Sequence, residues 1–553
     1  MSERVLTPLR LGVARHKGLV AMCLAAFATL FVPRSGLSQT PADAVVQRPI
    51  TSCAQMGAVR LHSTRIDTAV AVPEGTEISL RTGTIKAPAH CLVRGVMEPR
   101  IGVDGKPYGI HFEMRLPNQW NGRFLFQGGG GTNGTVVPAT GSVKGPSALG
   151  EGFAVISQDA GHTGRDAAFG IDQQARIDHI WRSYDRVTTL GKQLVEAYYG
   201  KAPDHSYFMG CSEGGREAML VSQRMPMEYD GVVAGDPGFL LGFSLEDIWS
   251  GRALDAVSPR RPDGGVDRDK AFSDGDLRLI VDETLKQCDA KDGLADGIIE
   301  NWPACKPQLA PIVCKGAKTH RCISRPQQGA IAAVFNGGAD AKGRVMSLGF
   351  PYDTGIAEPG WRTWKLSGTA GPGAGAGAVN PWGGLFLTPF DPSAQSRNFD
   401  IDRDGWRLQE VGGQMRADGI MYSTFKQRGS KLLVYTGASD PVFSANELVA
   451  WYRRLQDANG GAKATSDFAR LFIVPGQNHC AGGKAMDDFD PLRAVVDWAE
   501  KGVAPSDLLA RGAAFPGRTR PICPYPYQAR YKGAGWPVED AGSFECRLPG
   551  AIP

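Results

Sequence analysis

Ser206-Tyr207-Phe208-Met209-Gly210-Cys211-Ser212-Glu213-Gly214-Gly215-Arg216-Glu217-Ala218-Met219 decides how the rest of the chain is read. A short apolar strand runs into Gly-x-Ser-x-Gly and then into helical positions ending in Met219, Leu220 and Val221, the strand-turn-helix setting of a nucleophile elbow. Glycines at 210 and 214 allow a sharp bend without side-chain clash, which would leave the Ser212 hydroxyl exposed at the end of a sheet. The competing reading is a Gly-rich turn with an incidental serine. The strand before it and the helix after it favour the nucleophile.

Outward from the elbow, strands alternate with helices. Arg123-Phe124-Leu125-Phe126 enters Gln127-Gly128-Gly129-Gly130-Gly131-Thr132, and a strand ending in glycines offers unhindered backbone N–H groups of the kind an oxyanion hole needs. No Gly-Lys-Ser/Thr follows, so a phosphate-binding P-loop is not indicated. Phe153–Ser157 reads as a buried strand, residues 184–199 as a helix with Val187, Leu190, Leu194 and Ala197 on one face, and Gly231-Val232-Val233-Ala234-Gly235 as the next strand. Short alternating stretches between residues 44 and 114, such as Glu77-Ile78-Ser79-Leu80-Arg81, suggest an N-terminal antiparallel edge. From Phe239 to Asp404 the alternation stops. That stretch holds four cysteines, several tryptophans and the low-complexity run Gly368 to Gly384, then strands resume at Lys431–Tyr435 and Leu471–Val474. The pattern predicts an α/β protein, an α/β-hydrolase fold with a large inserted lid domain. Its expected parts are a leader over 1–38, the first catalytic segment over 39–238, the lid over 239–404, and the second catalytic segment over 405–553.

A serine hydroxyl needs a histidine to take its proton and a carboxylate to orient that histidine, and in this fold the chain order is Ser, acid, His. Only two histidines follow Ser212. His320 lies between Cys314 and Cys322 in an irregular stretch, whereas His479 follows the strand ending at Val474, so His479 is the candidate base. Asp440, on the loop after the strand Leu433-Val434-Tyr435, is the candidate acid; Asp487 and Asp488 come after His479 and break the order. His162 precedes the nucleophile and reads as a loop residue.

The 553 residues, 42% hydrophobic and 21% charged with a formal charge of +4, are ordinary for a globular protein. No basic run interleaved with aromatics points to nucleic acid. Arg4, Arg10, Arg15 and Lys17 precede an apolar run from Gly18 to Val32 that is too short for a comfortable membrane span. It reads as a signal peptide with cleavage near Ser38, leaving no membrane segment and placing the protein in the periplasm or outside the cell. Apart from Cys23 within that leader, ten cysteines remain, an even number that in an exported chain implies disulfides. Spacing does not prove connectivity. The local pairs Cys53 with Cys91, Cys288 with Cys305, Cys314 with Cys322 and Cys523 with Cys546 are economical and leave Cys211 and Cys480 for each other. That last bridge would clamp the neighbours of Ser212 and His479 side by side, since a disulfide holds its Cα atoms within roughly 7 Å.

Cys211-Ser212, Asp440 and His479-Cys480 together resemble the signature of the tannase and feruloyl esterase family, in a pattern nearest to its bacterial terephthalate monoester hydrolases. The similarity runs from about Cys53 to the C-terminus and includes residues 128–134, 210–217, 475–480 and 518–521. The resemblance implies the same cysteine pairing and oxyanion donors at the N–H groups of Gly129 and Glu213. Asp289, Asp292 and Asp296 alternate with turn glycines, a spacing that lets oxygens converge on a hard cation. The resemblance makes that cation a structural calcium, held also by the carbonyls of Leu294 and Ile298. It places Trp364 and Phe443 as aromatic clamps on the acyl ring of a small aromatic ester. Terephthalate monoester hydrolases also use a lid arginine for the free carboxylate, and the corresponding stretch here, residues 366–389, contains none. Feruloyl, galloyl and benzoyl esters therefore stand beside the terephthalate monoester as expected substrates of a serine esterase working through an acyl-enzyme. The alternatives are a serine peptidase or acyltransferase on the same fold, and a non-catalytic calcium-dependent binding protein.

Overall fold

Runs such as Ala154–Gln158 and Gly231–Gly235 are buried along their whole length, which is what a strand covered on both faces requires. In the computed structural model, which describes residues 46–80, 83–241, 245–367, 384–394 and 399–550, such strands form the middle of one nine-stranded sheet. Its members are β1 (Thr64–Val72), β2 (His90–Ile101), β3 (Pro107–Pro117), β4 (Arg123–Gln127), β5 (Ala154–Gln158), β6 (His205–Cys211), β7 (Gly231–Gly235), β8 (Lys431–Gly437) and β9 (Ala469–Val474). They lie side by side in the order β1-β2-β3-β5-β4-β6-β7-β8-β9. The pairings from β5 to β9 are parallel, and β1, β2, β3 and β5 pair antiparallel. The N-terminal edge is therefore antiparallel, but Glu77–Leu80 is not part of it. That stretch pairs with Gly83–Lys86 in a separate hairpin, and Arg81 falls outside the described residues. Alternation marks a strand with one covered face without saying which sheet covers it.

Helices cover both faces. α1 (Ser183–Tyr199) buries Val187, Leu190, Leu194 and Val195 and stops at Gly200, whose φ of 77° is left-handed. α2 (Glu213–Arg224) follows the elbow. Together they pack on Phe124, Phe126, Ile156 and Phe208 from one face of the sheet. From the opposite face Leu125, Val155, Tyr207, Met209 and Leu433 meet Leu492, Val495 and Val496. Each fully buried side chain of this size contributes about 2 kcal/mol relative to exposure, so the sheet is held from two sides.

The chain leaves the sheet at Gly235 and returns at Lys431, with β7 and β8 directly paired. Between them lie α3 (Leu245–Asp255), α4 (Asp274–Cys288) and α5 (Arg325–Asn336) amid short 3-10 and π turns. Reciprocal capping bonds start two of these helices, Ser273 with Asp276 and Ser324 with Gln327. Short helices between residues 401 and 428 precede the return. After β8 come α6 (Ala445–Ala458) and α7 (Pro491–Lys501). The described residues form one compact unit.

Five disulfides join Cys53 to Cys91, Cys211 to Cys480, Cys288 to Cys305, Cys314 to Cys322 and Cys523 to Cys546, with Cα atoms 5.0 to 6.0 Å apart. They are the pairs that sequence economy favours. The Cys53–Cys91 bridge fastens the N-terminal segment to the first residues of β2. Cys288–Cys305 and Cys314–Cys322 close short loops of the insertion, where the chain has few strands to order it. Cys523–Cys546 ties the C-terminal hairpin, whose strands Gln528–Tyr531 and Phe544–Arg547 pair antiparallel, to the segment before it. Among the described residues no helix is long and apolar enough to cross a membrane. The leader over 1–38 with Cys23, and nearly all of the Gly368 to Gly384 run, lie outside the described residues.

Candidate active site

Ser212 occupies the turn between β6 and α2 at φ 65° and ψ −119°, a conformation that L side chains rarely adopt. The surroundings hold it there. Its N–H donates to Gly235 O at 3.0 Å and its carbonyl accepts from Arg216 N–H. A side chain at Gly210 would sit 2.4 Å from Gly214 O, and one at Gly214 would sit 2.6 Å from Gly129 O, so the turn closes only with glycine at both places. Beneath it Arg216, fully buried, bonds the Glu213 carboxylate and the carbonyls of His179 and Ile180. The pair ties α2 to the segment entering α1.

His479 reaches this turn from the loop after β9. Its Nε2 lies 2.8 Å from Ser212 Oγ and its Nδ1 lies 2.8 Å from Asp440 Oδ2. Asp440, on the loop after β8, accepts from the N–H groups of Val442 and Phe443 at 2.7 and 3.1 Å. Burial alone would raise its pKa; the His479 ring and the hydrogen bonds outweigh burial and hold the carboxyl below its ordinary value. The structure thus brings together the three residues that sequence order nominated. Cys211 and Cys480, each adjacent to a member of the set, are bonded to each other with Cα atoms 6.0 Å apart.

Of the two expected oxyanion donors, Glu213 N–H lies in the first turn of α2, where no intrahelical acceptor is available. Gly129 departs from the expectation. Its N–H donates to Glu217 Oε2 at 3.0 Å, because the loop leaving β4, after Gly128 N–H bonds Met209 O on β6, turns onto α2. Glu217 also accepts from Asn133 Nδ2 at 2.8 Å, so it anchors the glycine loop at two points. The N–H groups of Gly130 and Gly131 make no hydrogen bond among the described residues, and none of those residues comes within 4 Å of a Cβ built on Gly130.

Trp364 and Phe443 both flank the imidazole of His479, edge-on, with ring centroids 5.0 and 5.3 Å away. One comes from the insertion and the other from the loop after β8, so the insertion contributes to the surroundings of the base. His320 is exposed in its loop. His162 is buried and stacked on Phe169, and burial depresses its pKa to about 3, making it a neutral core residue. Sequence reasoning passed over Asp236, the residue after β7, which lies against Asp440 and His479. Its place at the carboxyl end of a central strand was the available signal.

The second predicted site is built from Asp289, Asp292 and Asp296. Asp289 accepts from Asp296 and Gly297 N–H, and Asp292 accepts from Leu294 and Glu300 N–H. A cavity of about 10 Å³ is lined by Asp292, Leu294, Asp296, Ile298 and Glu300, with Arg520 at its side. Burial is the main cause that pushes Asp292 up to about 7 and raises Asp289 as well, and the nearby aspartate charges add to it. An oxygen-only donor set with crowded negative charge and room for a single small ion fits a hard cation in its chemistry. The oxygens of the three aspartates do not all lie within 4.8 Å of one another.

Comparison with known proteins agrees with this geometry. A family model described as tannase and feruloyl esterase matches residues 91–547. The chain is similar to a mono(2-hydroxyethyl) terephthalate hydrolase from Piscinibacter sakaiensis, 40% identical over 519 residues, 84% of this chain and 85% of the other. It is also similar to a probable feruloyl esterase B-2 from Neosartorya fischeri, 28% identical over 523 residues, 89% and 95% of the two chains. Among solved structures, an esterase from Aspergillus oryzae superposes with a TM-score of 0.76 at 25% identity, covering 90% of this chain and 99% of the other.

Proposed function

Because this chain belongs to the tannase and feruloyl esterase family, we propose that it hydrolyses esters of aromatic carboxylic acids through an acyl-enzyme on Ser212. It is a carboxylic ester hydrolase. The observation that carries the proposed mechanism is the unbroken line from Ser212 Oγ through His479 to Asp440, with 2.8 Å at each step. His479 Nε2 takes the serine proton as Oγ attacks the ester carbonyl, and Asp440 fixes the tautomer that leaves Nε2 free to accept. The oxyanion falls to the N–H of Glu213 and to an amide of the glycine loop. His479 then returns its proton to the leaving alcohol, and a water molecule repeats the sequence to release the acid.

Trp364 and Phe443 support an aromatic acyl group, because flat rings beside the base offer stacking and edge contacts to a benzoate or cinnamate ring. A sequence without arginine over 366–389 favours acyl groups lacking a second carboxylate, of the feruloyl, galloyl or benzoyl kind. All ten cysteines among the described residues are paired, which supports export to an oxidising compartment, periplasmic or extracellular. Calcium at Asp289, Asp292 and Asp296 with the Leu294 and Ile298 carbonyls would brace the insertion. It is remote in sequence from all three residues of the relay.

The test is labelling with a fluorophosphonate probe beside hydrolysis of methyl ferulate, methyl gallate and the terephthalate monoester. Wild-type protein should label at Ser212 and turn over at least one ester, and Ser212→Ala should do neither. Turnover retained in Ser212→Ala would overturn the assignment, and an amide substrate cleaved in preference to every ester would make the protein a peptidase.

A further inference from the structure

Asp236 follows Gly235, whose carbonyl anchors the Ser212 N–H. Its own N–H donates to Tyr435 O at 2.8 Å. Oδ1 accepts from Gly437 N–H at 2.9 Å and Thr436 Oγ1 at 3.1 Å. Oδ2 accepts from Gln477 Nε2 at 3.2 Å and lies 3.6 Å from the Cys211 sulfur. The orientation of Gln477 is set from its far side, where Lys144 Nζ meets its Oε1 at 3.3 Å; an ammonium can only donate, so the amide NH2 must face Asp236. Asp236 is therefore wired to the loop carrying Asp440, to the loop carrying His479 and to the bridge beside Ser212.

On its open side Asp236 meets Asp440 itself. Polar atoms of Asp236, Asp440 and His479 all lie within 4.8 Å of one another. Two buried carboxyls at this separation cannot both carry charge. Each carboxyl has three hydrogen-bond partners around it, but only Asp440 bonds the His479 imidazole, at 2.8 Å, so the negative charge belongs there and the proton on Asp236.

We propose that Asp236 is a positioning residue of the relay: a neutral carboxylic acid that donates its proton to the Asp440 carboxylate and holds that group square to His479 Nδ1. The proposal rests on the assignment of Ser212, His479 and Asp440 given above. The ionisable groups facing Asp236 are Asp440, His479, the hydroxyl of Tyr435 and, beyond Gln477, Lys144. Burial first and the Asp440 charge second push the Asp236 carboxyl far above the usual carboxylate range. As a neutral donor it fixes the orienting acid without adding a second negative charge beside the imidazole.

Asp236→Asn and Asp236→Ala separate this role from that of an anion or a filler. Asparagine keeps a neutral N–H donor of the same shape but sets its NH2 against Gln477 Nε2 or Gly437 N–H, so kcat should fall less than in Asp236→Ala and the acidic limb of the kcat/KM profile should not move. Alanine leaves Asp440 unsupported, so kcat should fall on the order of tenfold to a hundredfold with KM little changed. Infrared difference spectra of wild type against Asp236→Asn near neutral pH should show a protonated-carboxyl C=O band that the variant lacks. An acidic limb displaced by a unit or more in Asp236→Asn, no such band in wild type, or wild-type kcat in Asp236→Ala would each overturn the proposal. Should Asp236→Ala not fold, the asparagine profile and the infrared band decide. Activity surviving in Ser212→Ala would instead indict the relay assignment, so the two failures are distinguishable.

Discussion

Glu217 decides where the glycine loop points, since its two carboxylate oxygens hold Gly129 N–H and Asn133 Nδ2. Burial, then the charge of Glu213, push its carboxyl up from the ordinary 4.5 to about 7. A folded-state pKa above the unfolded one means that the native chain holds the extra proton between those values, so stability falls as pH rises from about 4.5 to about 7. Glu217→Gln should flatten that part of the stability profile, measured by thermal melts across pH, while keeping activity. Its amide can accept from Gly129 and donate to Asn133 Oδ1, which lacks a partner among the described residues. Glu217→Leu removes both anchors and should lower kcat about tenfold or more. At this scale Ser212, Asp440 and His479 were legible because chain order and the strands before them single them out. Asp236 had a signal in its place after a central strand, but that signal and a carboxylate within a helix such as Glu217 become decisive only once burial and neighbours are known.

The elements that present the relay are fixed by covalent chemistry as well as by packing. The bridge from Cys211 to Cys480 spans 269 residues of sequence, and constraining so long a loop in the unfolded chain is worth at most roughly 5 kcal/mol. Cys211→Ala with Cys480→Ala should therefore lower the melting temperature by several degrees and lower kcat more than it raises KM, measured on the same ester before and after the change. Nearly every central strand and α1 were legible from apolar runs and helical spacing. The hairpin at 77–86 was misplaced, because its alternating residues would look the same on any half-covered sheet, and the bond from Gly129 N–H to Glu217 was not legible because the path of a glycine loop is set by what it packs against.

Across the whole molecule the aspartate loop joins the insertion to the C-terminal segment. Arg520 bonds Asp296 at 2.6 Å, Gln528 bonds Asn301 and Arg530 bonds Lys291 O. If calcium braces this junction, a chelator should lower the melting temperature by about 5 °C or more while kcat at 25 °C changes little. An unchanged melt in excess chelator, with excess calcium as the control, would remove calcium from the account. The existence of the insertion was legible, since strand alternation stops after β7 and resumes at β8. Its interior was not: short turns stapled by disulfides and ion pairs such as Arg362 with Asp269 and Asp274 have no sequence period.

Joining the serine turn to the histidine loop through sulfur makes competence a property of the surroundings as much as of the sequence. A chain made where thiols stay reduced would finish its sheet yet leave proton acceptor and nucleophile only loosely registered. If the chain is exported, oxidation outside that compartment would act as the maturation step and would spare the producing cell stray ester cleavage.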